Sequence, residues 1–135
     1  MTQPAIAIVG FYAALNTFIL FWFVWQTSML RGRHKIWLGD GGNAHLARVM
    51  RGHANAIENM PMMFVLLLVA ALLGAPAVAL HVLGAGFTVG RFLHALYFIQ
   101  ESAPRWLRGL GYTLTFLGLL GAAGGVIAHA WPLVF

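Results

Sequence analysis

The sequence predicts an all-α integral membrane protein, a four-helix bundle running up-down-up-down. Three observations carry this. Of 135 residues, 61% are hydrophobic and only 8% charged, with a mean hydropathy of +0.82; that is too apolar for a soluble domain of this size. The apolar residues gather in four long runs, separated by short turns containing Gly, Pro or charge. All eight Lys and Arg lie in the first and third connections or the adjoining helix halves, and the N-terminus, the second connection and the C-terminus carry none. The positive-inside rule then places the first and third connections in the cytoplasm and both termini outside. One domain, 1–135, is expected.

The first predicted helix covers about residues 4–30 and carries Phe11, Phe18, Phe21, Trp22, Phe23 and Trp25. At about 1.5 Å per residue it crosses a hydrocarbon core of about 30 Å. No charged segment precedes it and it is too long for a signal-peptide core, so it reads as a retained span. Asn16, mid-span, is a contact between helices or part of a site. Arg31, Arg33, His34 and Lys35 end the helix, and Leu38-Gly-Asp-Gly-Gly-Asn43 follows. That loop lacks Gly-Lys-Ser/Thr and a preceding strand, so it reads as a turn around Asp40, not a phosphate cradle. Asn43 is placed to cap the second helix, about 44–73, in which Pro61 removes a donor and is expected to kink the chain. Gly74-Ala75-Pro76 makes the second turn. A third helix covers about 77–101. Pro104 then suits the first position of a fourth, about 105–131, with Trp131 and Pro132 at its interfacial end. Gly111, Thr115, Gly118, Ala122 and Gly125 form a small-residue stripe on the fourth helix, and Gly86 and Gly90 add a step on the third. Such stripes let backbones approach closely, within a subunit or between subunits.

Composition also narrows the chemistry. Without cysteine there is no disulfide, no thiolate metal site and no cysteine nucleophile, so thiol chemistry would need a thiol brought by a ligand. The net charge of +5 sits beside apolar spans. That points to membrane lipid headgroups or an anionic ligand, with no nucleic acid expected. His45 and His53 have no third ligand at useful spacing, and no metal is expected.

One stretch stands out. Arg48-Val-Met-Arg51-Gly-His53-Ala-Asn55-Ala-Ile-Glu58-Asn59-Met-Pro61 opens the second helix. At about 100° per residue, Arg48, Arg51, Asn55 and Glu58 share a face while His53 points away. Arg91, His94 and Tyr97 lie at similar depth on the third helix. Arg105 and Arg108 sit at the mouth of the fourth, and Arg31 and Arg33 at the mouth of the first. Glu58 cannot neutralise so many cations. An unpaired arginine within the bilayer costs at least about 2.5 kcal/mol, and ionisable residues there mark functional sites by default. The expectation is a cationic pocket open to the cytoplasm with Glu58 at its deep end, filled by an anionic ligand, headgroups or water.

The run Arg48-x-x-Arg51-x-His53-x-Asn55-x-x-Glu58-Asn59-x-Pro61 resembles the second-helix signature of the MAPEG family, the membrane-associated proteins in eicosanoid and glutathione metabolism. The Leu38-Gly-Asp-Gly-Gly loop, Arg91-x-x-His94 and Arg108-x-x-Gly111-x-x-x-Thr115 are similar to its bacterial branch. The resemblance implies a homotrimer in a bacterial inner membrane that binds glutathione as co-substrate between subunits near the cytoplasmic side. By position, Arg51, Asn55 and Glu58 would contact the glutathione backbone, with Arg48 on the same face. Arg91 and His94 would support the pocket from the next subunit, and Tyr97 is a further candidate to bind the ligand. Arg108, with Tyr112 one turn on, would face the sulfur, with Arg105 as its rival. Arg31 or Arg33 would hold a carboxylate. The family often has Tyr four residues after His94; here that position is Phe98.

The residue types agree with that chemistry. Arginines suit the two carboxylates of glutathione, Glu58 its ammonium, and a guanidinium beside the sulfur favours the thiolate. The thiolate would attack a lipophilic electrophile or lipid hydroperoxide arriving from the bilayer. The expected function is therefore a membrane glutathione S-transferase-like enzyme. Two alternatives stand beside it: a non-catalytic protein binding another anionic thiol or a lipid headgroup, and a small transporter or channel subunit using Arg51, Glu58, Arg91 and His94 as an ion path.

Overall fold

A computed structural model describes residues 2–135. They form four helices: α1 (Thr2–His34), α2 (Ala44–Leu72), α3 (Ala77–Ile99) and α4 (Arg105–Val134). No strand occurs among the described residues. All four helices are long and apolar enough to cross a membrane. The shortest, α3 with 23 residues, spans roughly 35 Å at about 1.5 Å per residue.

The helix ends follow from local chemistry. α1 runs past residue 30 to His34, and Lys35, with a φ of 55°, turns the chain. Its last turn holds Arg31, Arg33 and His34, cations that favour a helix C-terminus. Gly39, Gly41 and Gly42 all have positive φ, and the Asp40 carboxylate accepts from Gly42 N at 2.9 Å. Asn43 caps α2, its Oδ1 accepting from Leu46 N at 2.8 Å. α2 passes through Pro61 as one continuous helix and closes in a Schellman turn at Gly74 (φ 85°), with Ala75 N bonded to Ala70 O and Gly74 N to Ala71 O. Pro104 stands one place earlier than expected, at the N-cap of α4. α4 in turn continues through Pro132.

α2 and α3 are central. α1 packs on both from one side and α4 packs on both from the other, with no contact between α1 and α4. The core is built from Phe23, Leu46, Val49, Met63, Leu67, Leu80 and Phe87, all fully buried. The outward faces carry Phe11, Phe18, Phe21, Trp25, Phe116, Leu117 and Ile127, the distribution expected where lipid is the solvent. Between α1 and α3, Asn16 is buried and donates to Thr88 Oγ1 at 2.7 Å and to Tyr12 O at 2.9 Å. The Tyr12 hydroxyl meets His81 Nδ1 at 3.0 Å. Asn16 is thus a contact between helices, at a distance from the polar stretch of α2.

Glycines set the closest approaches. A Cβ on Gly111 would lie 2.7 Å from Gly90 O and from His94 N. One on Gly52 would lie 2.5 Å from Phe98 Cβ. The stripe on α4 is buried from Gly111 to Ala122. On α3 the packing glycines are Gly90 against α4 and Gly84 against Tyr12, while Gly86 faces open space. The expected Gly86–Gly90 step is corrected to Gly84 and Gly90, because the two neighbouring helices meet α3 on different sides.

Candidate functional site

α2, α3 and the start of α4 enclose a cleft of about 630 Å³. Its walls are Arg51 and Asn55 from α2, His94 and Phe98 from α3, and Arg105, Arg108, Gly109 and Tyr112 from α4. The Gly90–Gly111 crossing fixes this arrangement, since it seats the first turns of α4 against the backbone of His94. Three arginines converge on one cleft with no carboxylate in its wall. The nearest acid is Glu58. Its Oε1 lies 4.0 Å from Arg51 Nη1, and both side chains are more than half exposed. This is the one ion pair among the described residues. Glu58 is thus not part of the cleft wall and stands exposed beside Arg51 on the single subunit.

Behind the cleft lies Arg91, fully buried. Its Nη1 donates to Asn55 Oδ1 at 2.9 Å and its Nη2 meets His94 Nδ1 at 3.4 Å. Nε has no partner and no acidic side chain pairs with the guanidinium among the described residues. A buried cation held only by neutral groups is costly unless charge of the other sign comes near. Both contacts form within a single subunit, so a neighbour is not needed to bring Arg91 to Asn55. This differs from the expectation that Arg91 and His94 act from the next subunit.

Four further residues lie outside the cleft of a single chain. Arg48 is committed elsewhere: its Nε (3.1 Å) and its Nη2 both donate to Tyr97 O, and its guanidinium covers the Tyr97 ring at 4.0 Å. Tyr97 is held under that cation, leaving Phe98 as the aromatic ring that α3 gives to the cleft wall, 4.7 Å from His94 and 5.7 Å from the Arg108 guanidinium. Arg31 is on the α1–α2 side, donating to Gly39 O at 3.3 Å and touching Met50 Sδ at 3.8 Å. His53 stacks on Phe23 at 6.1 Å on that same side.

His45 was not singled out by its pattern. Its Nε2 binds Ile99 O at 2.8 Å, so His45 and Arg48, three residues apart on one face of α2, together cap the carbonyls at the end of α3. That spacing was the available signal. Phe98 was visible only as the residue standing where the related pattern has Tyr.

A second groove of about 510 Å³ lies between α1 and α3, lined by Leu15, Phe18, Ile19, Trp22, Thr88, Val89 and Phe92. It holds no ionisable side chain, in contrast to the cationic cleft.

The family profile of MAPEG matches residues 9–128. The chain belongs to the MAPEG family. It is 32% identical over 120 residues to a protein named inner membrane protein YecN in Escherichia coli (strain K12), covering 89% of this chain and 88% of that protein. The same figures hold for the protein of that name in Escherichia coli O6:H1 (strain CFT073). Family membership agrees with the four apolar helices, and the polar stretch of α2 and the first turns of α4 both fall inside the matched region.

Proposed function

We propose that the protein is a membrane-bound glutathione S-transferase-like enzyme of the inner membrane, in which a glutathione thiolate attacks lipophilic electrophiles or lipid hydroperoxides. The observation that carries this reading is the cleft itself: Arg51, Arg105 and Arg108 line it, the uncompensated Arg91 lies behind it, and no acid closes it. Such a site calls for an anion with more than one negative group. Glutathione has two carboxylates and, ionised, a thiolate. Glu58, exposed at the rim, is the group for its ammonium.

Arg108 and Tyr112 are one turn apart on α4 and both line the cleft. They are assigned to the sulfur, where a guanidinium stabilises the thiolate and a phenol donates to it. Arg105, nearly one turn nearer the mouth on α4, is assigned to a carboxylate. The thiolate sulfur forms the new bond to an electrophilic carbon as the leaving group departs with its electron pair. With a hydroperoxide it attacks the terminal oxygen, the O–O bond breaks to give the alcohol, and a second glutathione reduces the sulfenate to the disulfide and water.

Homotrimeric assembly with glutathione between subunits is part of the proposal. Arg31 lies on the α1 side of the bundle and the cleft on the α4 side, and α1 and α4 do not touch. Arg31 is therefore assigned to the cleft of a neighbouring subunit. The cleft and the basic connections are assigned to the cytoplasmic side.

Steady-state conjugation with a lipophilic electrophile tests the roles. Arg108→Ala is expected to lower kcat by about 100-fold while glutathione affinity changes less than about threefold. An equal loss in both quantities would contradict the assignment of Arg108 to the sulfur. Saturable glutathione binding with no turnover on any electrophile would instead support a non-catalytic binding protein.

A further inference from the structure

Asn55 and His94 are the two neutral side chains in the cleft wall that can either donate or accept in a fixed geometry. Arg51, Arg105 and Arg108 only donate, and the Tyr112 hydroxyl rotates to suit its partner. What Asn55 and His94 show to a ligand is decided behind the wall. A guanidinium has no acceptor, so each of its contacts ends on an acceptor atom. Arg91 Nη1 ends on Asn55 Oδ1, at 2.9 Å, which turns the Asn55 amide N–H₂ away from Arg91. Arg91 Nη2 ends on His94 Nδ1, at 3.4 Å, which places the proton of the neutral imidazole on Nε2.

We propose that Arg91 is a positioning residue that occupies the acceptor atoms of Asn55 and His94, so that both present only N–H donors to the cleft and select an acceptor-only, fully deprotonated group of the ligand. This rests on the glutathione reading for the identity of the ligand but not for the arrangement of the wall. The group selected is a carboxylate or the thiolate, since neither carries a proton to donate. A protonated acid or an amide in the same place would offer one bare acceptor oxygen and set a hydrogen against the second donor, and a neutral thiol would accept far more weakly than its thiolate. The burial of Arg91 also makes sense in these terms, because a guanidinium that reached the cleft would itself be a ligand contact and could not fix both neighbours from behind.

The test has three arms. Imidazole nitrogen NMR of histidine-labelled protein in detergent reads the tautomer of His94, assigned by comparison with His94→Gln. A protonated Nε2 with a bare Nδ1 is expected, whereas a proton on Nδ1 would overturn the proposal whatever the protein binds. Calorimetric affinities of His94→Gln and His94→Asn give the second arm. An amide at the Nε2 position is expected to keep glutathione affinity within about threefold, and one at the Nδ1 position to lose about tenfold. Equal or reversed effects would overturn the proposal. The third arm compares glutathione with its two monoamides and with S-methylglutathione, and identifies which group faces the pair. One derivative is expected to bind the wild type about tenfold or more weakly, and most of that penalty is expected to vanish in Arg91→Met. A merely structural role for Arg91 would weaken all four ligands alike, and unchanged ratios would overturn the positioning role. Should Arg91→Met fail to fold, the first two arms still decide. Absence of glutathione binding with the Nε2–H tautomer intact would count against the transferase reading and would leave the positioning of His94 established.

Discussion

Arg48 and Arg51 stand three residues apart on α2 and do different work. Arg48 is half-buried against α3, with two donors on Tyr97 O and its plane over the Tyr97 ring. Arg51 is exposed, lines the cleft and has only a distant Glu58 as partner. Arg48→Ala is therefore expected to cost about 1–2 kcal/mol of stability, from a charge-assisted cap and a cation–π contact. That would show as a lower thermal midpoint in detergent, with glutathione affinity largely kept. Arg51→Ala is expected to do the reverse: an unchanged midpoint and an affinity lower by about tenfold. A helical wheel puts both on one face and cannot separate them. Their difference depends on where α3 ends, and a wheel of α2 carries no information on that.

At the scale of the elements, the bundle is held by crossings that have no room for a side chain. Gly111→Ala would push a methyl group to 2.7 Å from Gly90 O and His94 N, both backbone atoms that cannot step aside. A loss of about 1–3 kcal/mol is expected, and glutathione affinity should fall with it because the same crossing seats α4 against His94. Gly86→Ala meets nothing and is expected to be neutral or slightly stabilising in a thermal melt. Asn43→Ala, which removes the cap on Leu46 N, is expected to cost about 1 kcal/mol. The four helices, the capping by Asn43 and the turn at Asp40 were legible because each is local: apolar length, a cap residue and a Gly-rich turn act within a few positions. The choice of Gly84 over Gly86 was not legible. It depends on α1 and α4 meeting α3 on different faces, which spacing along α3 alone does not state.

At the scale of the molecule, the subunit keeps its parts on two sides. Arg51, Asn55, His94, Arg105, Arg108 and Tyr112 meet in one cleft, and Arg31 stands across the bundle from them. The convergence of α2, α3 and α4 could be anticipated because an excess of arginines at one depth needs a common partner. The burial of Arg91 behind that wall and the exposure of Glu58 at its rim could not, since both depend on how far each side chain reaches between packed helices. A site shared between subunits makes a specific prediction. Trimers assembled from equal amounts of Arg31→Ala and Arg108→Ala subunits should regain conjugation activity at about a quarter of the wild-type site number, as random assembly pairs an intact Arg31 with an intact Arg108. No gain over the separate variants would place the whole site within one subunit.

The central claim is that the cationic cleft binds glutathione. Calorimetric titration of glutathione into the detergent-purified protein, beside Arg51→Ala and Glu58→Gln, tests it most directly. Saturable binding by the wild type is expected, with binding weakened by about tenfold or more in both variants while their thermal midpoints hold. No heat of binding at millimolar glutathione, or binding that neither substitution disturbs, would contradict it.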